Sequence, residues 1–215
     1  METNTLIKNI ALYCSNLEQE FDLIQPERKA DLLKVSRYCI DKFSTQQTPQ
    51  LIVICTHNSR RSHLGQLWLA VAADFYGLPN IVTYSGGTEA TALNERIVAT
   101  LKTVGFNIRI QENHPTNPRY AIAWTEAEEF TTAFSKRYDS APNPTQNFAA
   151  IMVCTDADEN CPIVSGMDFR LGLPYEDPKV SDNTAQETQI YSERCQEIAR
   201  EMLFIAQQAK FLLEA

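Results

Sequence analysis

With 215 residues, 44% of them apolar, the chain is long enough for one domain with an appendage and too short for two full ones. Its formal net charge of -8 argues against non-specific binding to nucleic acid or an anionic membrane, because both surfaces repel it, while still allowing a local basic pocket. No apolar run reaches the length of a membrane span, and the opening METNTLIKN lacks the features of a secretory signal, so a cytoplasmic location is expected.

In chain order, Ile7, Ile10, Cys14, Leu17, Phe21 and Ile24 recur at intervals of three and four and predict one helical stripe. Pro26 suits the first turn of a second helix, whose stripe is Leu32, Leu33, Cys39, Ile40 and Phe43. Together they predict an N-terminal helical hairpin, 1–48, closed by the loop STQQTPQ. Its apolar stripe either covers the sheet or forms a homodimer contact, and composition does not choose.

The pattern then changes to alternating strand and helix. Strands are predicted over 51–55, 81–84 and 147–154, and helices over 62–76, 93–104 and 185–213, with Gly105 ending the second of these. The segments PRYAIAW and EFTTAFSKRYDS predict an inserted hairpin near 119–140. The fold class expected for 49–215 is α/β: a three-layer open parallel sheet of about four strands with helices on both faces. Cys14, Cys39 and Cys195 lie on helical stripes and read as small buried hydrophobes.

Six cysteines in a reducing compartment do not suggest a structural disulfide framework, and with three histidines and no CxxC there is no zinc spacing. Cys55 stands apart from the helical cysteines, because it ends an apolar run, LIVIC, and is followed by THNSRR just before a helix. A tight strand-to-helix loop turns backbone N–H groups inward, and with the helix dipole these form a nest for a tetrahedral oxyanion. The same field favours a thiolate, making Cys55 a nucleophile. Thr56, His57, Asn58, Ser59, Arg60 and Arg61 are the candidate oxyanion ligands. Arg61 can offer two forked donors where a lysine offers only a point charge. Ser62 is placed to donate to the Cys55 sulfur, and Asn58 to hold the loop shape.

The stretch VICTHNSRRS, a C-x5-R followed by serine, resembles the low-molecular-weight tyrosine phosphatase superfamily. His57 stands where that family commonly has glycine, and Arg60 where it often has a second cysteine. Downstream, YSGGTEATALNERIVATLKTVGFNI resembles the family's second strand and helix, which implies that Ser85 braces the loop asparagine. In LPYEDPKV, Asp177 followed by Pro178 resembles the Asp-Pro pair that carries the family's general acid, and the proline keeps Asp177 extended. The segment MVCTDADENCPIV places Cys154 and Cys161 around a polar, acidic spacer and resembles the redox segment of thioredoxin-coupled arsenate reductases. The resemblance spans about 51–180 and omits both the N-terminal hairpin and the insertion.

That resemblance implies a relay. Cys55 attacks arsenate, Asp177 protonates the departing oxygen, Cys154 attacks Cys55 to release arsenite, and Cys161 then attacks Cys154, with thioredoxin as electron donor. It implies no metal and no cofactor. The competing expectation is a phosphatase in which water hydrolyses a phospho-Cys55 intermediate. A non-enzymatic oxyanion sensor is disfavoured by the joint presence of Cys55, Arg61, Ser62 and Asp177.

Overall fold

The computed structural model describes residues 5–78, 80–155, 157 and 164–214. The chain runs through α1 (Lys8–Glu18), α2 (Pro26–Ser44), β1 (Gln50–Cys55), α3 (Arg61–Phe75), β2 (Val82–Gly87), α4 (Glu95–Val104), β3 (Asn107–Glu112), β4 (Arg119–Ala123), β5 (Thr131–Ala133), β6 (Phe148–Met152), β7 (Met167–Gly172) and α5 (Glu187–Glu214). Short 3-10 turns lie at Phe21–Leu23 and Pro178–Ser181.

The expected α/β architecture is present as a parallel sheet in the order β2-β1-β6-β7, flanked by helices. β1 is central, and residues 51–55 are all buried, as a strand covered on both faces requires. Its register pairs Cys55 with Gly87 on one side and Ile54 with Met152 on the other. The ends of three strands therefore converge at one rim of the sheet, where Cys55 lies.

The first helix ends at Glu18 rather than continuing to Ile24, and a 3-10 turn carries Phe21 instead. Part of the hairpin's stripe packs inside the chain, with Ile10, Cys14, Leu17, Ile24, Leu32 and Cys39 buried, Ile7, Phe21, Leu33, Ile40 and Phe43 partly buried, and both helices packed on α5. Arg28 of α2 donates to both carboxylate oxygens of Glu201 on α5, at 3.0 and 2.9 Å, and the Tyr175 hydroxyl donates to the same carboxylate at 2.5 Å.

The inserted hairpin is β4 paired with β5, but β3 joins it to make an antiparallel three-stranded sheet in the order β3-β4-β5. This small sheet is tied to the chain's beginning: Leu6 pairs with Thr125, and Ile7 N–H donates to the Trp124 carbonyl at 3.0 Å. On its other side, residues after β5 run along the end of β2, where Gly87 N–H donates to the Lys136 carbonyl and Tyr138 N–H to the Gly87 carbonyl, both at 2.9 Å.

Candidate active site: the Cys55 loop

The loop between β1 and α3 is held from outside by its carbonyls. Thr88 N–H donates to the Cys55 carbonyl, Glu89 N–H to that of Thr56 and Asn94 N–H to that of Ser59. The Ser135 and Thr91 hydroxyls both donate to the His57 carbonyl, at 2.9 and 3.2 Å. Among the described residues, no protein acceptor takes the backbone N–H groups of Thr56 to Arg60. A loop whose carbonyls are bonded outward leaves its N–H groups for the opposite side, where α3 also presents its N-terminus. Such an arrangement of N–H groups at a helix N-terminus suits an oxyanion.

Asn58 adopts a left-handed backbone, φ 44°, a conformation asparagine tolerates better than most residues. Its buried side chain accepts from Lys136 N–H at 2.9 Å and donates to Ser62 Oγ at 2.8 Å. Ser62 Oγ in turn lies 3.1 Å from Cys55 Sγ. The loop passes so close over β2 that a Cβ on Gly87 would stand 2.7 Å from Asn58 N and 2.3 Å from the Glu89 carbonyl oxygen. The SGG stretch is thus the rigid end of a strand, with glycine required for the close approach.

Ser85 does not touch Asn58 directly. Its hydroxyl meets His63 Nδ1 at 3.3 Å, and His63 Nε2 meets the Asn58 carbonyl at 3.0 Å. Burial, and then the nearby charge of Lys136, push His63 down to about 3, so the ring is neutral. The Asn58 carbonyl only accepts, so Nε2 carries the proton and Nδ1 accepts from Ser85. His63 was missed in the sequence, where it reads as one more residue of the helix after the motif. Its only signal is that it follows Ser62 directly on the first turn of α3.

Arg61 donates through Nη1 to the Tyr175 carbonyl at 2.8 Å and through Nη2 to Asp177 Oδ2 at 2.6 Å, while its buried Nε has no partner among the described residues. Asp177 also caps the turn that follows, with Oδ1 accepting from Lys179 N–H at 3.0 Å. The structure therefore brings Cys55, Ser62, Arg61 and Asp177 to one rim. Arg60 turns its guanidinium elsewhere, donating to the Tyr191 hydroxyl at 2.7 Å and to Asp182 at 3.0 Å, so only its backbone N–H stays with the loop. The His57 ring is half exposed and 3.7 Å from Glu89.

Cys154 is buried and its sulfur lies 3.4 Å from the Thr56 hydroxyl, one residue beyond Cys55. Cys161 lies outside the described residues. Burial pushes the Cys14, Cys39 and Cys195 thiols up to about 12, which leaves them unreactive. Among the described residues no cluster of three His, Cys, Asp or Glu side chains is arranged to hold a metal, and no helix is long and apolar enough to cross a membrane.

No family model matches the chain. It is 30% identical over 112 residues to arsenate reductase 2 of Staphylococcus haemolyticus, an alignment covering 52% of this chain and 64% of that protein. The chain thus spans less than two thirds of the length of that relative. Among solved structures, a mutant of YwlE from Bacillus subtilis superposes with a TM-score of 0.48 at 16% identity, over 75% of this chain and 98% of that one. An arsenate reductase from Archaeoglobus fulgidus gives 0.39 at 13% identity, over 77% and 99%. The sequence match makes about half of the chain similar to a protein named arsenate reductase.

Proposed function

We infer that the chain reduces arsenate to arsenite through Cys55, Cys154 and Cys161. The observation that carries this reading is the second thiol, Cys154, against the first residue of the oxyanion loop, a group that hydrolysis does not need. In the first step Cys55 sulfur bonds to arsenic(V), and an oxygen leaves as water with a proton from Asp177. Cys154 thiolate then attacks Cys55 sulfur. The S–As electron pair stays on arsenic, which departs as arsenite, and the two sulfurs, oxidised by two electrons, form a disulfide. Attack by Cys161 on Cys154 moves the disulfide and restores the Cys55 thiolate. An external dithiol of the thioredoxin class, present in a reducing cytoplasm, supplies the two electrons that close the cycle.

A second reading, hydrolysis of a phosphate monoester, is favoured by one feature. A cleft of about 640 Å³ borders Ser59 of the loop and is walled by Leu93, Ile110, His114 and Tyr120. An inorganic oxyanion has no leaving group to fill it.

Anaerobic thiol counting separates the two. Reduction consumes two thiols per arsenite released in the absence of reductant, and hydrolysis consumes none. Cys161→Ser should release one arsenite and stop with Cys55 and Cys154 linked, a peptide that mass mapping detects. Many turnovers of that variant with no such peptide would sink the relay in favour of hydrolysis. Cys55→Ser should abolish either activity.

A further inference from the structure

The two adjacent arginines of the loop hold opposite ends of one turn. Arg61 pairs with Asp177, the residue that caps the start of the 3-10 turn Pro178–Ser181, and Arg60 pairs with Asp182, the residue at its end. The Arg60 contact is not a loose surface pair. Nε donates to the Tyr191 hydroxyl, that hydroxyl donates to Asp182 Oδ1 at 2.7 Å, and Nη2 reaches Asp182 Oδ2, closing a three-membered ring of hydrogen bonds. Arg96 adds a second cation 3.7 Å from Asp182 while pairing with Glu187 at 2.7 Å. Tyr191 belongs to α5, so this end of the turn is fastened to the longest helix.

The Asp177 end is fastened differently. Its carboxylate is held by the same guanidinium that an oxyanion in the nest would claim. Capture of a dianion by Arg61 weakens its bond to Asp177, and the carboxylate, no longer paired with the guanidinium, takes up a proton from solvent and is free to face the departing oxygen. A turn released at both ends would lose its place, whereas one released at a single end pivots.

We propose that Arg60 is a positioning residue, not an oxyanion ligand: it pins the Asp182 end of the turn through Tyr191 so that anion capture by Arg61 frees Asp177 without displacing it. The proposal deepens the oxyanion-loop reading above and rests on it. A guanidinium suits this task because one planar group meets the hydroxyl and the carboxylate together, which a lysine ammonium cannot reproduce in the same geometry.

The test measures binding and chemistry separately on the full chain. Inorganic phosphate affinity is read by its protection of Cys55 from iodoacetamide, and chemistry by the single-turnover rate of arsenite release, in the parent, Arg60→Lys, Arg60→Ala, Tyr191→Phe and Asp182→Asn. The expected result is phosphate protection close to the parent's in all four variants, with the single-turnover rate down about tenfold or more in both Arg60 variants and in Asp182→Asn, and less in Tyr191→Phe. Adding Arg60→Ala to Asp177→Asn should cost little further, because both act on one proton transfer. Loss of phosphate protection in Arg60→Ala to the extent seen in Arg61→Ala would make Arg60 an anion ligand and overturn the proposal. Unchanged release rates in Arg60→Ala and Asp182→Asn would overturn it as well. If phosphate fails to protect Cys55 in the parent chain, the oxyanion-loop reading falls and this proposal with it. If phosphate protects but no arsenite is released, the arsenate reading alone falls, and the rates are taken instead from hydrolysis of phenyl phosphate, a leaving group that needs the acid.

Discussion

The side-chain amide of Asn58 donates to the Ser62 hydroxyl over 2.8 Å, so the serine oxygen accepts there and its hydrogen is left for another partner. A thiolate at Cys55 can only accept, so toward that form the Ser62 hydroxyl, 3.1 Å from Sγ, is the donor, while its oxygen accepts from Asn58. The serine is therefore an oriented donor to the nucleophile in its thiolate form. A hydrogen bond to a charged group contributes about 1.5–3 kcal/mol, so Ser62→Ala should slow iodoacetamide capture of Cys55 at neutral pH by roughly ten- to hundredfold. Equal capture rates in parent and variant would show that the sulfur draws its stabilisation from the loop N–H groups and α3 alone.

Asp177 has two attachments, one to Arg61 and one to Lys179 N–H, and replacement by asparagine separates them. Asparagine keeps an oxygen for the Lys179 cap but neither pairs with Arg61 as an anion nor delivers a carboxyl proton. The chemical step should fall by roughly 10²- to 10⁴-fold. Oxyanion affinity should hold or improve, because Arg61 no longer has a competing charge. Rapid-quench arsenite release alongside phosphate protection checks both halves, and a variant that loses only affinity would reduce Asp177 to a turn cap.

His63 makes the loop sensitive to acid. Its ordinary value near 6.5 is pushed down to about 3 in the folded chain by burial. Between those two values the unfolded chain binds a proton that the folded chain does not. Stability is therefore full above pH 6.5 and falls progressively as pH drops toward 3. Urea midpoints measured at pH 7.5 and pH 4.5 should differ less in His63→Gln than in the parent, whatever the variant's absolute stability. An identical pH slope in both chains would assign the acid sensitivity to other groups.

The pair between Arg28 and Glu201 joins the N-terminal hairpin to α5 beneath the site. Glu201 is buried and accepts from Arg28 and from the Tyr175 hydroxyl, whose own backbone carbonyl holds Arg61. Removing one partner of such a pair strands the other, at a cost of about 3–5 kcal/mol. Glu201→Ala should accordingly lower the unfolding midpoint, and Glu201→Met together with Arg28→Met should recover much of the loss. Calorimetry on the single and double variants decides; a double variant no better than the single would mean that the carboxylate matters mainly to Tyr175.

The central strands and the loop were legible because short apolar runs ending at a polar loop leave few alternatives, as in Leu51–Cys55 and the FAAIM of β6. β7 was not, since MDFRLG lies at a sheet edge and carries Asp168 and Arg170 where a central strand would be apolar. β3, NIRIQE, is mostly exposed and gives no core pattern. Of the site, Cys55, Arg61, Ser62 and Asp177 could be read from spacing and resemblance. The partners of Arg60 could not, because Asp182 and Tyr191 stand more than a hundred residues away and nothing local marks them. Ser85 was seen but its route to the loop was not, since it depends on the tautomer of a histidine that looks like ordinary helix.

The strand pairing of Leu6 with Thr125, and the line of bonds that continues through Ser135 and Lys136 to His57 and Asn58, make the two parts that lie outside the arsenate-reductase resemblance a single brace for the nucleophile loop. A chimera that transplants only residues 51–180 without the amino-terminal hairpin would thus lose the far support of that brace while keeping every catalytic side chain. Conversely, grafting this loop onto a shorter relative would require the insertion to travel with it. A designed chain that retains one of the two additions without the other should show altered loop geometry around an intact motif.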